Sequence, residues 1–398
     1  MRSPRARHPS SPALAALRTV LVEAPTGAAA STVGRLVAAG GVVAEAARAP
    51  DLRRALPSFA RWLEAAELLP RVPPAERATL AAARLSAAAA ARRVAATLEP
   101  LGAALATVGV APLLLKGTAL HGTAVDPALR PVSDADLYLR AADLDAFRRA
   151  AGAAGLAPDA LTAARLADYD ASGGRAHRLS DLVFRRTDGA GVPVEGKLDP
   201  VQVGVPLRTA AAFLEGATPS PVYRGFLVPA AEPMAVQQAL HLARHDGSDL
   251  LWWAELARGV RDARAAGRFD RDRMEALVAG EGLLGTVRET LREAAALFPG
   301  CIEPALVHGA APGGVTLARF RTRHAAPSEP DERAATWALQ LAHVVGSRRW
   351  LAAAAALARR LRPGDAYVRA RFGLPADAPV DGRLRARRLL ATLLGRTP

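Results

Sequence analysis

Lysine is almost missing from this chain: of 52 basic residues, only Lys116 and Lys197 are lysines. Cysteine is scarcer still. Cys301 stands alone, so no intrachain disulfide is possible and nothing suggests an exported, stapled domain. Aromatic residues make up 5% of the chain, too few for the stacking platforms that bind single-stranded nucleic acid. No stretch approaches the roughly 18–20 uninterrupted apolar residues that a membrane span needs. The opening MRSPRARHPSSPALAALRTVLVEA starts like a signal peptide, but Arg18 and Glu23 interrupt its apolar run and no cleavage site follows. A soluble, cytoplasmic protein is the expectation. Two phosphate-binding fingerprints are also absent, the spaced GxxxxGK[ST] loop and a G-x-G-x-x-G after a strand.

What remains is alanine, arginine and a chain of 398 residues, 51% of them apolar. That length supports two or three structural units with a substantial core. Alanine is the best helix former, so a mostly helical α+β protein with one compact mixed region is expected. Four stretches follow from the texture. Residues 1–30 read as loose, with Pro4, Pro9, Pro12 and Pro25 among serines and arginines. Residues 31–110 read as helices, one opened by Pro57 and a long one by Pro73-Pro74 that runs toward Leu98. The mixed core is expected over 111–230, and residues 231–398 return to helix and end in a basic tail. The net charge of +14 is concentrated there, with twelve arginines after Ser347 against Asp365, Asp377 and Asp381. Such a tail is either a solvated helix face or a contact for nucleic acid, an acidic partner or a membrane surface.

Within the mixed core, APLLLKG reads as a buried strand ending in glycine, and TALHGTAV as a short helix. DADLYL alternates, which sets Asp134, Asp136 and Tyr138 on one face of a strand and Ala135, Leu137 and Leu139 on the other. A helix is expected over 143–154, ending near Gly155. RLSDLVFRR and VPVEGKL flank TDGAG, which is a hairpin signal. The helical stretches AEPMAVQQALHLARH and SDLLWWAELARGVRDARAAG come after it. Trp252 and Trp253 belong by this pattern to a helical core.

Chemistry gathers in the same segments. Gly117 and Thr118 follow a strand at the start of a helix, where unpaired N–H groups suit phosphate, and Lys116 adds a full charge. Asp134 and Asp136 project from one strand face, where two ionised carboxylates repel unless a cation lies between them. Mg²⁺ prefers a few carboxylates with phosphates and waters, so the pair is either a metal clasp or an exposed strand face. If VPVEGK pairs beside DADLYL, Glu195 joins the two aspartates and Lys197 projects from the same face. Three carboxylates can hold two metals roughly 3.5–4 Å apart. Pro193 puts that strand at an edge or at its own start, and Asp199 is the runner-up for the third acid. Arg130, before Pro131, offers either a phosphate clamp or a structural pair with an aspartate. His241 and His245 lie four apart on a helix without the glutamate of HExxH, so packing or hydrogen bonding is expected of them. His177 precedes the hairpin. A lysine is a compact point charge that a planar guanidinium cannot copy at a tight site, and both lysines fall here.

A strand, Gly-Thr and a helix, then Asp-x-Asp, then a lone acid on a later strand resembles the nucleotidyltransferase superfamily, which includes antibiotic adenylyltransferases and polymerase-β-like enzymes. LLLKGTALHGTAVDPALRPVSDADLYL is similar, more closely, to the uncharacterised nucleotidyltransferase family found beside bacterial biosynthetic clusters. The likeness runs from about Pro112 to Val260, with a fainter match at LRPGDAYVRARFG. It implies that Gly117 and Thr118 hold nucleotide phosphates and that Asp134 and Asp136 bind Mg²⁺ (or Mn²⁺). Glu195 would serve the catalytic metal or the acceptor. The co-substrate implied is an NTP such as ATP, passing its nucleoside monophosphate to an acceptor in a biosynthetic pathway. Where relatives often carry Asp-x-His, this chain has Glu195-Gly196-Lys197, and there Lys197 can neutralise phosphate instead. The alternatives are a non-catalytic descendant that binds a nucleotide or metabolite in the same pocket, and a nucleic-acid or membrane-surface protein that acts through its basic tail.

Overall fold

A computed structural model of the chain describes residues 12–173, 181–307, 332–354 and 364–393, apart from Gly204, Pro206, Asp246, Ser248 and Ala376. Helices α1 (Pro12–Val22), α2 (Gly27–Ala38), α3 (Val42–Arg48), α4 (Pro50–Arg53) and α5 (Leu56–Ala65) precede the long α6 (Pro74–Thr107). The mixed region runs β1 (Leu113–Leu114), α7 (Lys116–Leu120), β2 (Ala135–Tyr138), α8 (Leu144–Ala153), β3 (Leu156–Pro158), α9 (Ala160–Ala171), β4 (Leu182–Arg186) and β5 (Val194–Lys197). Two short strands, β6 (Thr218–Pro219) and β7 (Leu227–Val228), close it. Helices return as α10 (Ala231–Arg244), α11 (Leu250–Ala265), α12 (Arg271–Ala279), α13 (Leu284–Leu297) and α14 (Pro304–Val307). Further helices cover Glu332–Gly346, Asp365–Phe372 and Gly382–Leu393. The fold is α+β, as the composition and patterning imply. His177 and residues 394–398 of the basic tail lie outside the described residues.

The seven strands form one mixed sheet in the order β3-β4-β5-β2-β1-β7-β6. The TDGAG hairpin pairs β4 with β5 antiparallel. β5 then lies parallel to β2, with Asp136 opposite Glu195 and Tyr138 opposite Lys197. Alternation decides which side chains meet which layer. Ala135 and Leu137 of β2 point into a core with Leu98 and Leu101 of α6 and Phe147 of α8. Phe147 meets Phe184 of β4 edge-on at 5.4 Å, a contact worth about 0.5–1.5 kcal/mol beyond area burial. Tyr138 points the other way, with Leu113 and Leu115, into a second core built from α1–α5 and α10–α13. Asp136 shares that second face, so the acids sit between the sheet and the helical layer.

Two expectations need correcting. Residues 1–30 are not loose where described: α1 buries Ala13, Ala16, Leu17, Val20 and Leu21, an apolar stripe at helical spacing. Pro12 is its first residue, where a missing N–H breaks no intrahelical bond. The prolines there start helices rather than prevent them. The helix expected to run toward Leu98 instead continues through Pro100 to Thr107. An internal proline costs roughly 3 kcal/mol, and here it lies beside the fully buried Leu98, Leu101 and Leu105. Packing against the sheet overrides the local cost. Among the described residues no single helix is long and apolar enough to cross a membrane. α2 and α3 together meet that length and composition, but the pair is bent by 82° and buries Val33, Val37, Val42 and Val43 in the helical core.

Candidate active site

β1 ends at Leu114, and the chain turns sharply at Lys116, whose φ of +51° is unusual for a residue with a side chain. Such a conformation costs about 1–3 kcal/mol and is tolerated where the surroundings demand it. The demand here is electrostatic. Leu115 donates its N–H to the Asp136 carbonyl at 2.9 Å, which fixes the turn beside β2. Lys116 Nζ then reaches Asp136 Oδ1 at 2.7 Å. Glycine would relieve the backbone but bring no ammonium.

Opposite, β5 presents Glu195 and Lys197 on the same face as Asp136. Lys197 Nζ lies 2.6 Å from Glu195 Oε2, 2.9 Å from Asp181 Oδ1 and 3.6 Å from Asp136 Oδ1. Asp134, Asp136 and Glu195 each offer a carboxylate oxygen, and the three oxygens lie within 4.8 Å of one another. Burial disfavours the charged forms on both sides. It raises the pKa of Asp134, with Asp136 adding to the effect and Lys116 opposing it. For Lys197, burial alone would favour the neutral amine, but Asp181, Asp136 and Glu195 more than offset it and raise the pKa. Partial desolvation works to raise the pKa of Asp181, whose side chain is 49% exposed, but the same contact holds it below the usual carboxylate range. Both lysines of this arginine-rich chain are thus ion-paired in one acidic cluster. The donor set is all hard oxygen, at a spacing one small cation can bridge, so these residues fit Mg²⁺ or Mn²⁺.

The acids form part of the floor of a cleft of about 410 Å³. Its far wall comes from the helical layer, with His241, Arg244 and His245 near the end of α10 and Trp252 on α11. The Trp252 ring lies 4.5 Å from His241 and 5.4 Å from His245, and the Arg54 guanidinium lies 5.6 Å from its centre. His241 is pushed well below its ordinary pKa, first by burial and then by Lys116, so it is neutral at pH 7. The two histidines pack against an aromatic ring, as expected, and the metal-ligand cluster among the described residues does not include them. Trp253 is a core residue, whereas Trp252 packs on the core and also faces the cleft.

Several expected residues have different work from that assigned to them. Thr118 is buried, and its hydroxyl donates its proton to the Leu115 carbonyl at 3.0 Å rather than into the cleft. Arg130 borders the cleft, but its Nε and Nη2 donate to the two oxygens of Glu255 at 2.7 and 3.0 Å. This is a structural pair with a glutamate of α11 rather than an aspartate. Burial works against the charged guanidinium, and Glu255 outweighs it and raises the pKa. Gly117 is explained by the same pair, because an added Cβ would lie 2.2 Å from Arg130 Nη1 and 2.6 Å from Val132. Gly117→Ala is therefore expected to lower the thermal midpoint by several degrees by prising Arg130 from Glu255; an unchanged midpoint would show that the wall can yield. Asp199, the runner-up acid, accepts from the N–H groups of Val201 and Val203, and burial raises its pKa to about 6. It pins the loop after β5 and lies outside the acid cluster.

Asp181, Arg54 and Gln202 also line the cleft, and none of them stands out in the sequence. Asp181 was within reach, since the hairpin register that pairs Leu182 with Gly196 sets the preceding residue opposite Lys197. Gln202 donates to Asp181 and accepts from Arg244, tying β5's neighbours to α10.

A mixed sheet that sets an Asp-x-Asp pair beside a third carboxylate on a parallel neighbour has the layout of a nucleotidyltransferase-type site. The chain belongs to the family described as uncharacterised nucleotidyltransferase, whose model matches residues 44–299, from α3 to just past α13. Helices on both sides of the sheet fall inside that match. No curated protein and no solved structure matches the chain.

Proposed function

We propose that this protein transfers a nucleoside monophosphate from an NTP to an acceptor and releases pyrophosphate, using Mg²⁺ or Mn²⁺ at Asp134, Asp136 and Glu195. The observation that carries the reading is the convergence of three carboxylates from β2, its N-terminal flank and β5 in one cleft, in a chain of this family. A divalent cation held there supplies neutralisation of charge on the transferring phosphoryl group and a lower pKa for the acceptor hydroxyl. The chain's own residues do the positioning. Asp134 and Asp136 fix the site on a rigid strand and its flank. Lys116, at the cleft rim, turns its ammonium from Asp136 toward phosphate oxygens. Arg130, locked to Glu255, holds the wall behind Gly117 without touching the nucleotide. The wall of Trp252, His241 and Arg54 receives the uncharged part of a substrate. An acceptor from a biosynthetic pathway, bearing a hydroxyl or phosphate, is the partner this reading implies.

The test uses the full chain with Mg²⁺ and each of the four NTPs labelled at the α-phosphate, offered a panel of hydroxyl and phosphate acceptors. Label is expected to move to an acceptor with one pyrophosphate released per transfer, and EDTA is expected to stop it. Nucleotide binding by calorimetry with no pyrophosphate release across the panel would instead favour a non-catalytic binding protein.

A further inference from the structure

Lys116 and Lys197 both touch Asp136, yet they are held in opposite ways. Lys116 sits at the cleft rim with its side chain 17% exposed, in contact with Asp136. Lys197 is 4% exposed and engaged from three sides, by Glu195 on its own strand, by Asp136 across the sheet and by Asp181 just before β4. A side chain so enclosed does not swing out when a substrate enters. Its ammonium lies between Asp136 and Glu195, the two carboxylates that the parallel register sets directly opposite each other. That is the position of an ion bridging β2 to β5.

Resting on the site proposed above, we infer that Lys197 is a built-in cation that replaces a second metal ion between Asp136 and Glu195, so that the site takes one divalent ion. Three carboxylates can hold two metals roughly 3.5–4 Å apart. Here one of the two positions is filled covalently. The composition fits this use. In a chain where nearly every basic residue is arginine, a planar fork of five donors cannot stand where a compact charge must sit, and an ammonium can. The remaining ion belongs to Asp134 and Asp136, with Glu195 shared between it and Lys197, on the side facing Lys116 and the incoming phosphates.

The experiment counts bound Mn²⁺ by the loss of the free-ion EPR signal, using the full chain and the metal alone. The parent chain is expected to bind one Mn²⁺, and Lys197→Met is expected to double the count to two. Adding Glu195→Gln to that variant is expected to return it to one, which locates the gained ion at the vacated position. A parent count other than one overturns the inference, and so does a Lys197→Met count unchanged from the parent. Should Lys197→Met fail to fold, Lys197→Gln, which keeps hydrogen-bond donors and removes the charge, is counted in its place with the same expected result of two. The two readings fail separately: a parent that binds two Mn²⁺ and transfers nucleotide defeats only the inference. One that binds a single Mn²⁺ without transferring defeats only the activity.

Discussion

Asp136→Asn is expected to cut nucleotide transfer by at least about a thousandfold, because a metal's contribution to charge stabilisation at a phosphoryl group is several kcal/mol. Asp136 is the centre of the cluster: its side chain is 4% exposed, it receives Lys116 at 2.7 Å, and it faces both Asp134 and Glu195. Asparagine keeps the shape and one oxygen but loses the charge. The far-UV circular dichroism of the variant should match the parent, since the strand backbone and the apolar face of β2 are untouched. Transfer within tenfold of the parent would remove Asp136 from the site. Asp134→Asn is the natural companion, because its oxygen completes the triad from the flank of the same strand.

The second large effect is on stability. Arg130→Met alone, or Glu255→Gln alone, is expected to destabilise the fold by about 3–5 kcal/mol in urea titration, the usual cost of stranding one partner of a buried ion pair. The Arg130 and Glu255 side chains are 4% and 6% exposed, and the two hydrogen bonds between them are charge-assisted. The double variant Arg130→Met/Glu255→Leu should recover much of the loss, since replacing both charges with apolar groups of similar volume is often neutral. Single variants within 1 kcal/mol of the parent would contradict this account. Arg130 also anchors its surroundings through its backbone. His121 Nε2 lies 3.2 Å from the Arg130 carbonyl and His121 Nδ1 lies 2.7 Å from the Tyr223 hydroxyl, with burial pushing the imidazole down to about 4.

Much of this was legible in the residues. Alternation in DADLYL gave the face of Asp136, and TDGAG gave the hairpin that brings Glu195 and Lys197 to β2. The rarity of lysine pointed at both ammonium groups before their contacts were known. What stayed hidden was hidden for physical reasons. β3, β6 and β7 are two or three residues long, and Pro158 and Pro219 stand inside two of them, so no period can show. α1 was masked by prolines and serines around a short apolar stripe. The Arg130–Glu255 pair spans 125 positions, and no local pattern announces it. The helical wall is similar, because His241 and Trp252 face the cleft only through the packing of α10 and α11 on the sheet.

β2 and β5 pair in parallel across a long excursion of the chain. More than fifty residues leave β2 and return before Glu195 can meet Asp136, so the pocket closes only when a long-range contact forms, a slow kind of event in folding. Side chains alternate strictly along a strand, and a slip of one residue would turn Glu195 and Lys197 into the leucine-rich layer beneath. Misaligned chains would then be both inert and unstable, with charges stranded in hydrocarbon. Correct assembly and completion of the acid cluster are, in this protein, a single checkpoint.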